Sequence, residues 1–315
     1  MDAKAVTFVE PERIELRSLS LCKPGPEDIA VDVAWSGISA GTERLLWSGR
    51  MPQFPGMGYP LVPGYESVGR VTAAGADSGV AEGSMVFVPG ATCFPDARCL
   101  FGGTASRLIT RADRVALVPD AIGSDATLLA LAATAARALA RADHDPSTPL
   151  LIIGHGALGR LTARLAIHAG CSDVTVWERS ELRSDGARGY AVAQEAEDTR
   201  TDYRTAIDVS GDVAVIDTMI SRMARGGRLV LAGFYSERVA FAFPPAFMKE
   251  VEVRISSEWQ RTDLNAATSA IAADPELVSG LVSHRYDAED AEAAYATAFS
   301  DPSCLKMIIE WERLS

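Results

Sequence analysis

A glycine-rich stretch at residues 150–159 constrains the fold of this chain more than any other feature of its sequence. The apolar run Leu150–Ile153 has the composition of a strand that is buried on both faces. Three glycines follow in the spacing G-x-G-x-x-G, namely Gly154, Gly156 and Gly159. Apolar residues then recur at helical spacing as far as Gly170, which suits the left-handed position after a helix. This order of strand, tight turn and helix is typical of a dinucleotide-binding unit.

An acidic residue stands where such a unit binds the adenosine ribose. Glu178 ends a second strand-like run about 20 residues after the last glycine, and its carboxylate can accept hydrogen bonds from the ribose hydroxyls. Because a carboxylate repels a 2′-phosphate, we predict NAD rather than NADP as the cofactor, although the neighbouring Arg179 weakens that preference. The residues expected to bind NAD are Gly154, His155, Gly156, Ala157, Leu158, Gly159, Glu178, Arg179 and, after later strand-like runs, Ser210 and Gly233.

Composition and charge exclude several classes of protein. The chain has 315 residues, 48% hydrophobic and 23% charged, which suits about two globular domains. A net charge of −12 argues against nucleic acid and against an anionic membrane surface. The richest apolar segment, residues 126–142, contains two arginines and is interpreted as a soluble helix, so we expect no stable membrane insertion. Five scattered cysteines and no evident signal peptide predict a cytoplasmic protein.

The hydrophobic pattern changes near residue 121. Before it, turn residues separate strand-like runs at 4–9, 29–36, 67–73, 84–88 and 106–109, as in a small barrel or sandwich. After it, helices at 125–142 and 213–224 alternate with buried strands at 150–153, 174–177, 205–209 and 228–231. Gly226 and Gly227 are expected to end the second of these helices. The alternation predicts a doubly wound parallel sheet, followed by a helix at 288–299 and a strand at 306–311.

This organisation resembles the medium-chain dehydrogenase/reductase superfamily. Three motifs, at residues 36–43, 46–69 and 93–95, resemble more closely the bacteriochlorophyllide a dehydrogenases of bacteriochlorophyll biosynthesis. The resemblance implies an α/β protein with a GroES-like catalytic domain at 1–121, a Rossmann domain at 122–247 and a C-terminal return to the catalytic domain at 248–315. It also implies an active site in the cleft between the domains and NAD-dependent oxidation of the 3-(1-hydroxyethyl) group of a magnesium bacteriochlorin. That pigment would be the small-molecule partner, and a homodimer is possible.

Zinc-dependent members of the superfamily carry a catalytic cysteine and a histidine that are replaced in this chain. Ser39 or Ala40 stands at the cysteine position, and Tyr65 stands at the histidine position in Gly64-Tyr65-Glu66. Glu66 is then the only obvious ligand, whereas catalytic zinc takes three. We therefore predict no metal.

A second kind of zinc site, made from four closely spaced thiolates, is also not expected. Cys93 and Cys99 are the only cysteines in the corresponding region, and one pair cannot close a tetrahedral site. A rebuilt site that uses Glu66 with Cys93 or Glu43 is a less favoured alternative.

Without a metal, side chains must stabilise the developing alkoxide and accept the hydroxyl proton. Tyr65 is the candidate that replaces the metal, provided that its pKa, ordinarily ~10, is lowered; filling the vacated space is an equally good interpretation. Thr42 matches the hydroxyl residue that passes the substrate proton towards solvent in the superfamily. Glu43 and Glu66 are either the terminal proton acceptor or orienting groups. The predicted catalytic residues are therefore Thr42, Tyr65 and Glu66.

Residues 45–62 are apolar but follow neither helical nor strand spacing. Aromatic and methionine side chains suit a broad, flat partner such as a chlorin, and Arg44 or Arg50 could bind its propionate. The predicted substrate residues are Arg44, Trp47, Met51, Phe54, Met57 and Tyr59. Packing of this loop on its own barrel or on another subunit is the alternative.

Two other functions stay open at this point. One is a zinc-less, NADPH-dependent quinone or enoyl reductase of the same superfamily, against which Glu178 argues. The other is a nucleotide-binding protein without catalytic activity, because a fold alone does not decide between these functions.

Overall fold

The computed structural model of the chain describes residues 2–311, which fall into two compact units. The first unit runs to Ala130 and resumes at Val278, and the second unit is Leu131–Leu277. Residues 248–277, which the sequence analysis assigned to the returning segment, therefore belong with the second unit. Their strand Glu252–Ile255 is hydrogen-bonded into the sheet of that unit. The chain therefore returns to the first unit at Val278 and not at residue 248.

The N-terminal part of the first unit consists mainly of strands. Its elements are β1 (Asp2–Glu10), β2 (Arg13–Ser20), β3 (Asp28–Ile38), α1 (Ala40–Trp47), β4 (Ser67–Ala74), β5 (Met85–Val88), β6 (Arg107–Arg111) and β7 (Ala116–Leu117). Sequence patterns predicted β1, β3, β4, β5 and β6 to within a few residues. They missed β2, which has no buried residue, and α1, whose last three residues begin the stretch that was expected to be irregular.

The second unit alternates helices and strands. Its elements are α2 (Leu129–Ala142), β8 (Leu150–Ile153), α3 (Ala157–His168), β9 (Val174–Trp177), β10 (Ala191–Ala193), β11 (Tyr203–Asp208), α4 (Ile216–Arg222), β12 (Met223–Leu231), α5 (Phe243–Lys249), β13 (Glu252–Ile255) and α6 (Arg261–Ala273). The strands form one parallel sheet in the order β10-β9-β8-β11-β12-β13. This sheet confirms the predicted doubly wound fold.

Apolar packing covers both faces of that sheet. In β8, Leu151 and Ile153 belong to one buried cluster, whereas Leu150 and Ile152 belong to another on the opposite face. A strand that is buried on both sides must be continuously apolar, as the sequence indicated. The predicted helix at 213–224 is shorter than expected, because α4 ends at Arg222 and the residues Gly226 and Gly227 lie within β12.

The chain then returns to the first unit with β14 (His284–Asp287), α7 (Ala291–Ser300) and β15 (Met307–Glu310). A sheet in the order β14-β15-β3-β4-β5-β7, with β6 also paired to β3, joins these strands to the N-terminal part. β15 lies antiparallel to β3, with Met307 opposite Ile38. Buried residues from both parts, including Phe8, Tyr295 and Trp311, share one hydrophobic core.

Short 3₁₀ turns lie at Ala112–Arg114, Asp120–Leu128, Glu181–Arg183, Val213–Val215, Pro275–Leu277 and Ala288–Asp290. The segment Asp120–Ala142 is long and apolar enough to cross a membrane by length and composition, and 56% of its most apolar window is buried. It contains a kink at Gly123, where φ is +56°, before α2 begins. Core helices of folded domains meet the same criterion, and α2 buries Ala138 and Ala142 in a core of the second unit.

Candidate active site

Three hydroxyl groups meet where β3 ends and α1 begins. Ser39 Oγ and Tyr65 Oη are 2.5 Å apart, and Thr42 Oγ1 lies 3.3 Å from the same phenol oxygen. The Tyr65 ring is half-buried and lies 4.7 Å, between ring centroids, from Phe101. We call Ser39, Thr42 and Tyr65 the hydroxyl cluster. The structure thus brings together two of the predicted catalytic residues and adds Ser39.

Burial keeps the phenol of this cluster protonated. Removal from water and the neighbouring Glu66 carboxylate raise the pKa of Tyr65 well above its ordinary value, and the hydrogen bonds from Ser39 and Thr42 oppose that rise only in part. Tyr65 was predicted to replace the metal on condition that its pKa is lowered, whereas the protein environment raises that pKa. The arrangement favours Tyr65 as a neutral hydrogen-bond donor.

Glu43 is a buried residue that is hydrogen-bonded to the backbone of the cluster residue Ser39. Its buried carboxylate accepts hydrogen bonds from the backbone N–H of Ser39 at 2.8 Å and from the hydroxyl of Tyr295 at 2.6 Å. Burial raises the pKa of Glu43 to about 7, although the two hydrogen bonds by themselves would lower it. A serine that precedes a helix often caps it with its hydroxyl, but here Ser39 makes no side-chain cap. Its hydroxyl is therefore directed to Tyr65 instead.

Glu66 forms a buried ion pair with Lys306. The ammonium bonds Glu66 Oε2 and also donates to the carbonyl oxygen of Ile38 at 3.0 Å, and both side chains are almost fully buried. Of the two roles that the sequence left open for Glu66, this geometry supports the orienting one. Lys306 was not recognised from the sequence. The sequence offers one indication of its role, which is that a lysine stands directly before the apolar run of the last strand.

The donor set does not fit a zinc ion. Among the described residues 2–311, no three or more His, Cys, Asp or Glu side chains are grouped so that they could hold a metal. Glu66, the one obvious ligand that the motif retains, is bonded to an ammonium group, which would repel a cation. Cys93 is buried, and burial raises the pKa of its thiol to about 12, so it is not a thiolate at neutral pH.

The predicted substrate residues divide into exposed and buried groups. Arg44 is exposed, and Phe54 has 45% of its surface exposed, so both are available to a ligand. Trp47 is half-buried, with its ring centroid 5.6 Å from that of Phe299. Met51 is only 6% exposed and belongs to the core, which corrects its assignment as a contact residue.

Two further members of that set also pack on the first unit. Met57 and Tyr59 are half-buried against its core, and the Tyr59 hydroxyl donates to the Leu46 carbonyl oxygen. The alternative interpretation, in which the loop packs on its own barrel, thus applies to much of it.

The glycine turn of the second unit has the geometry that its spacing predicts. Gly154 has a φ of +97°, which glycine adopts at little cost. A Cβ atom on Gly159 would lie 1.7 Å from the carbonyl oxygen of Gly154, so only glycine allows this approach of helix to strand. Ala157 and Leu158 begin α3 directly after the turn, where backbone N–H groups are free to meet an anion.

His155 within this turn has a structural role. Its ring nitrogens contact the carbonyl oxygen of Arg183 at 2.5 Å and the hydroxyl of Tyr190 at 2.9 Å. Burial lowers the pKa of His155, so the ring is neutral, with Nδ1 donating to the carbonyl and Nε2 accepting from the phenol. Because both nitrogens have protein partners, the side chain fixes the segment after β9 and does not reach out to a pyrophosphate.

Glu178 and Arg179 lie at the end of β9 in different electrostatic settings. The Glu178 carboxylate is half-buried and accepts hydrogen bonds from the backbone N–H groups of His155 at 2.9 Å and Ser180 at 2.8 Å. The Arg179 guanidinium is exposed and pairs with Asp212 at 2.5 Å and Glu195 at 3.4 Å. Two carboxylates therefore compensate the positive charge of Arg179, which would otherwise favour a 2′-phosphate.

Ser210 and Gly233 lie at the carboxyl edge of the sheet, as expected. Ser210 Oγ donates to the buried carboxylate of Asp208 at 2.6 Å, and a Cβ on Gly154 would lie 3.4 Å from Ser210 Cβ. A Cβ on Gly233 would lie 2.4 Å from the backbone nitrogen of Gly211. The carboxylate of Asp208 organises this edge by accepting hydrogen bonds from Ser210, Gly211 and Tyr235, a role that was not predicted from the sequence.

Comparisons with known proteins agree with this fold. Residues 25–120 match the alcohol dehydrogenase GroES-like domain family. Among solved structures, a putative zinc-binding dehydrogenase from Sinorhizobium meliloti bound to NADP superposes with a TM-score of 0.84 at 20% identity, covering 98% of this chain and 99% of that one. A short chain alcohol dehydrogenase from Escherichia coli complexed with NADH superposes with a TM-score of 0.82 at 18% identity, with coverage of 98% and 99%. These likenesses support the fold.

A closer relationship is found in sequence. The chain is 50% identical over 313 residues to the 2-desacetyl-2-hydroxyethyl bacteriochlorophyllide A dehydrogenase of Rhodobacter capsulatus, with 99% of both chains covered. Identity at this level over the full length places both chains in one family. The chain therefore belongs to the bacteriochlorophyllide hydroxyethyl dehydrogenase family of the medium-chain dehydrogenase/reductase superfamily.

Proposed function

We propose that this protein oxidises the hydroxyethyl side chain of a bacteriochlorophyllide to an acetyl group, with NAD as hydride acceptor and without zinc. The Rhodobacter capsulatus relative carries the name of that alcohol substrate, which supports the substrate class. The observation that carries the chemistry is the hydroxyl cluster, in which Tyr65 matches the histidine position of the zinc-dependent members and lies within hydrogen-bonding distance of Ser39 and Thr42. Oxidation of the secondary alcohol removes a hydride from carbon and a proton from oxygen, and NAD, held at the glycine turn and Glu178, would supply the hydride acceptor.

In this proposal, hydrogen-bond donors stabilise the negative charge that develops on the substrate oxygen. Tyr65 stays protonated because its pKa is raised, so it donates to that oxygen throughout the reaction. Ser39 fixes the phenol from the other side. Thr42 is half-buried beside them and accepts the substrate proton while it passes its own hydroxyl proton on towards solvent.

We assign Glu43 and Glu66 to positioning rather than to proton transfer. The hydrogen bonds of Glu43 run to the Ser39 backbone and to Tyr295, and Glu66 pairs with Lys306. The cluster hydroxyls are therefore oriented by groups that do not themselves contact the substrate oxygen.

The preference for NAD rests on the charges at the end of β9. Glu178 supplies a carboxylate at the ribose position, and the positive charge of Arg179 is compensated by Asp212 and Glu195. A 2′-phosphate would therefore meet excess negative charge there. We propose that Arg44, Phe54 and Trp47 meet the pigment, the arginine through a propionate and the rings through the macrocycle face.

The proposal is tested by incubating the purified protein with 2-desacetyl-2-hydroxyethyl bacteriochlorophyllide a and either NAD or NADP, with metal analysis on the same sample. We expect a red shift of the pigment band as the acetyl group forms, faster with NAD, and much less than one zinc per chain. Activity that requires a stoichiometric zinc would contradict the metal-free chemistry. Tight NAD binding without turnover would favour a non-catalytic role.

Removal of the phenol oxygen should slow the chemical step. For Tyr65→Phe we expect kcat to fall on the order of 100-fold, the usual loss for one donor to a developing oxyanion. The KM for NAD should change little. Tyr286→Phe is the matched control, because this tyrosine is also half-buried in the first unit and its hydroxyl contacts Thr297 Oγ1 at 3.4 Å, outside the cluster. Equal turnover in the Tyr65→Phe variant and the wild type would remove Tyr65 from the mechanism.

Loss of the acidic side chain at the end of β9 should weaken NAD binding. Glu178→Ala is expected to raise the KM for NAD roughly tenfold, since a hydrogen bond to a charged group contributes ~1.5–3 kcal/mol. The NAD to NADP preference should fall at the same time. Glu181→Ala removes a nearby exposed carboxylate and serves as the control. Unchanged constants for both cofactors would exclude the ribose contact.

Glu43 should make stability depend on pH near neutrality. Its folded-state pKa of about 7 lies above its ordinary value of 4.5, so folding favours the protonated carboxyl. That contribution is fully present below pH 4.5 and is lost as the pH rises through 7. Across this range, the free energy of unfolding of the wild type should fall relative to Glu43→Gln by about 1–3 kcal/mol in urea titrations. Parallel curves would show that Glu43 titrates normally.

A further inference from the structure

The ion pair between Lys306 and Glu66 spans the strand that leads to the hydroxyl cluster. Glu66 immediately precedes β4 and Lys306 immediately precedes β15, and these two strands pair with β3 on its opposite edges. The two side chains meet over Gly37, near the end of β3. A Cβ atom at this position would lie 2.3 Å from Glu66 Oε2 and 2.9 Å from Lys306 Cε. The absence of a side chain at Gly37 therefore provides the space for the pair.

The two hydrogen-bond partners of the Lys306 ammonium are the chain neighbours of two cluster residues. Its ammonium donates to the Ile38 carbonyl, which belongs to the peptide bond shared with Ser39. Its other partner is Glu66, the residue after Tyr65. A backbone hydrogen bond of 2.9 Å from Gly37 N to Glu66 O joins the same two segments. One cation thus connects the chain positions adjacent to Ser39 and Tyr65.

Stability alone does not account for this pair. Taking two charges out of water costs several kcal/mol per ion, and well-packed apolar residues of similar volume are often as stable or more so. Here Glu66 Oε1 is buried without a hydrogen-bond partner, so the carboxylate is only partly compensated. What the pair does provide is a fixed geometry, because a charged group with directional bonds tolerates little displacement.

We propose that Lys306 is a positioning residue that, through Ile38 and Glu66, holds Ser39 and Tyr65 at hydrogen-bonding distance. This inference rests on the proposed function in so far as it concerns turnover. Lys306 does not touch the substrate, and its effect is exerted on the orientation of the Tyr65 hydroxyl. Loss of the pair should leave a folded protein in which the phenol is misaligned.

The experiment replaces both charges together, because removing one would leave the other buried and unpaired. The variant Lys306→Met/Glu66→Leu is compared with the wild type and with both proteins carrying Tyr65→Phe. Pair replacement should lower kcat roughly tenfold to a hundredfold when Tyr65 is present, the scale expected for a misplaced group. In the Tyr65→Phe background it should change kcat less than about twofold. The KM for NAD should stay constant, and equal losses in both backgrounds would overturn the inference.

A second readout does not depend on turnover. With 3-fluorotyrosine incorporated at the seven tyrosines, the ¹⁹F resonance that disappears in Tyr65→Phe belongs to Tyr65. This resonance should shift in the pair variant. It should stay in place when the half-buried pair of Asp32 and Arg107 is replaced by Asp32→Asn/Arg107→Met, a matched control elsewhere on the same sheet.

The two readouts separate the two ideas. If Tyr65→Phe retains full turnover, the catalytic role of Tyr65 fails, while the resonance still decides whether Lys306 positions it. An unchanged Tyr65 resonance in the folded pair variant would refute the positioning role. If Lys306→Met/Glu66→Leu does not fold, Lys306→Arg replaces it, because the charge is kept while the donor geometry changes. The same resonance shift is then expected, and its absence would again refute the role.

Discussion

The antiparallel pairing of β15 with β3 is the constraint on which the candidate active site depends. It places Lys306 next to the end of β3, where the ammonium bonds both Ile38 and Glu66. The same returning segment carries α7, whose Tyr295 bonds Glu43. Both carboxylates behind the hydroxyl cluster are therefore held by residues that lie more than 200 positions further along the chain. The cluster is assembled by tertiary structure rather than by a local motif.

Electrostatics explains how this site is compatible with a buried location. Two carboxylates and one ammonium would carry a net negative charge if all were ionised, which a low-dielectric interior disfavours. Burial raises the pKa of Glu43, so its carboxyl takes up a proton near neutrality, whereas Glu66 is paired with Lys306. The three groups taken together then approach neutrality. The neutral phenol of Tyr65 fits the same pattern.

The sequence predicted local features well and long-range contacts poorly. The glycine spacing at 154–159 predicted the turn and the helix, because Gly154 adopts a positive φ and Gly159 lies directly against the carbonyl oxygen of Gly154. Tyr65 and Thr42 were identified through their resemblance to a known motif. Lys306 and Tyr295 were missed, since no periodicity links them to their partners. Met51 was misassigned because an apolar residue in an irregular loop looks the same whether it faces a ligand or the core.

The order of the chain has a consequence for biosynthesis. The glycine turn and all strands of the parallel sheet precede residue 278, so the second unit has its full set of strands before Lys306 is translated. Domains generally fold as units while the chain emerges from the ribosome. A nascent polypeptide can thus acquire the fold of its second unit first, whereas the proposed alignment of the Tyr65 phenol by Lys306 requires the last strand. On the proposed mechanism, competence for oxidation is a late event in the maturation of the molecule.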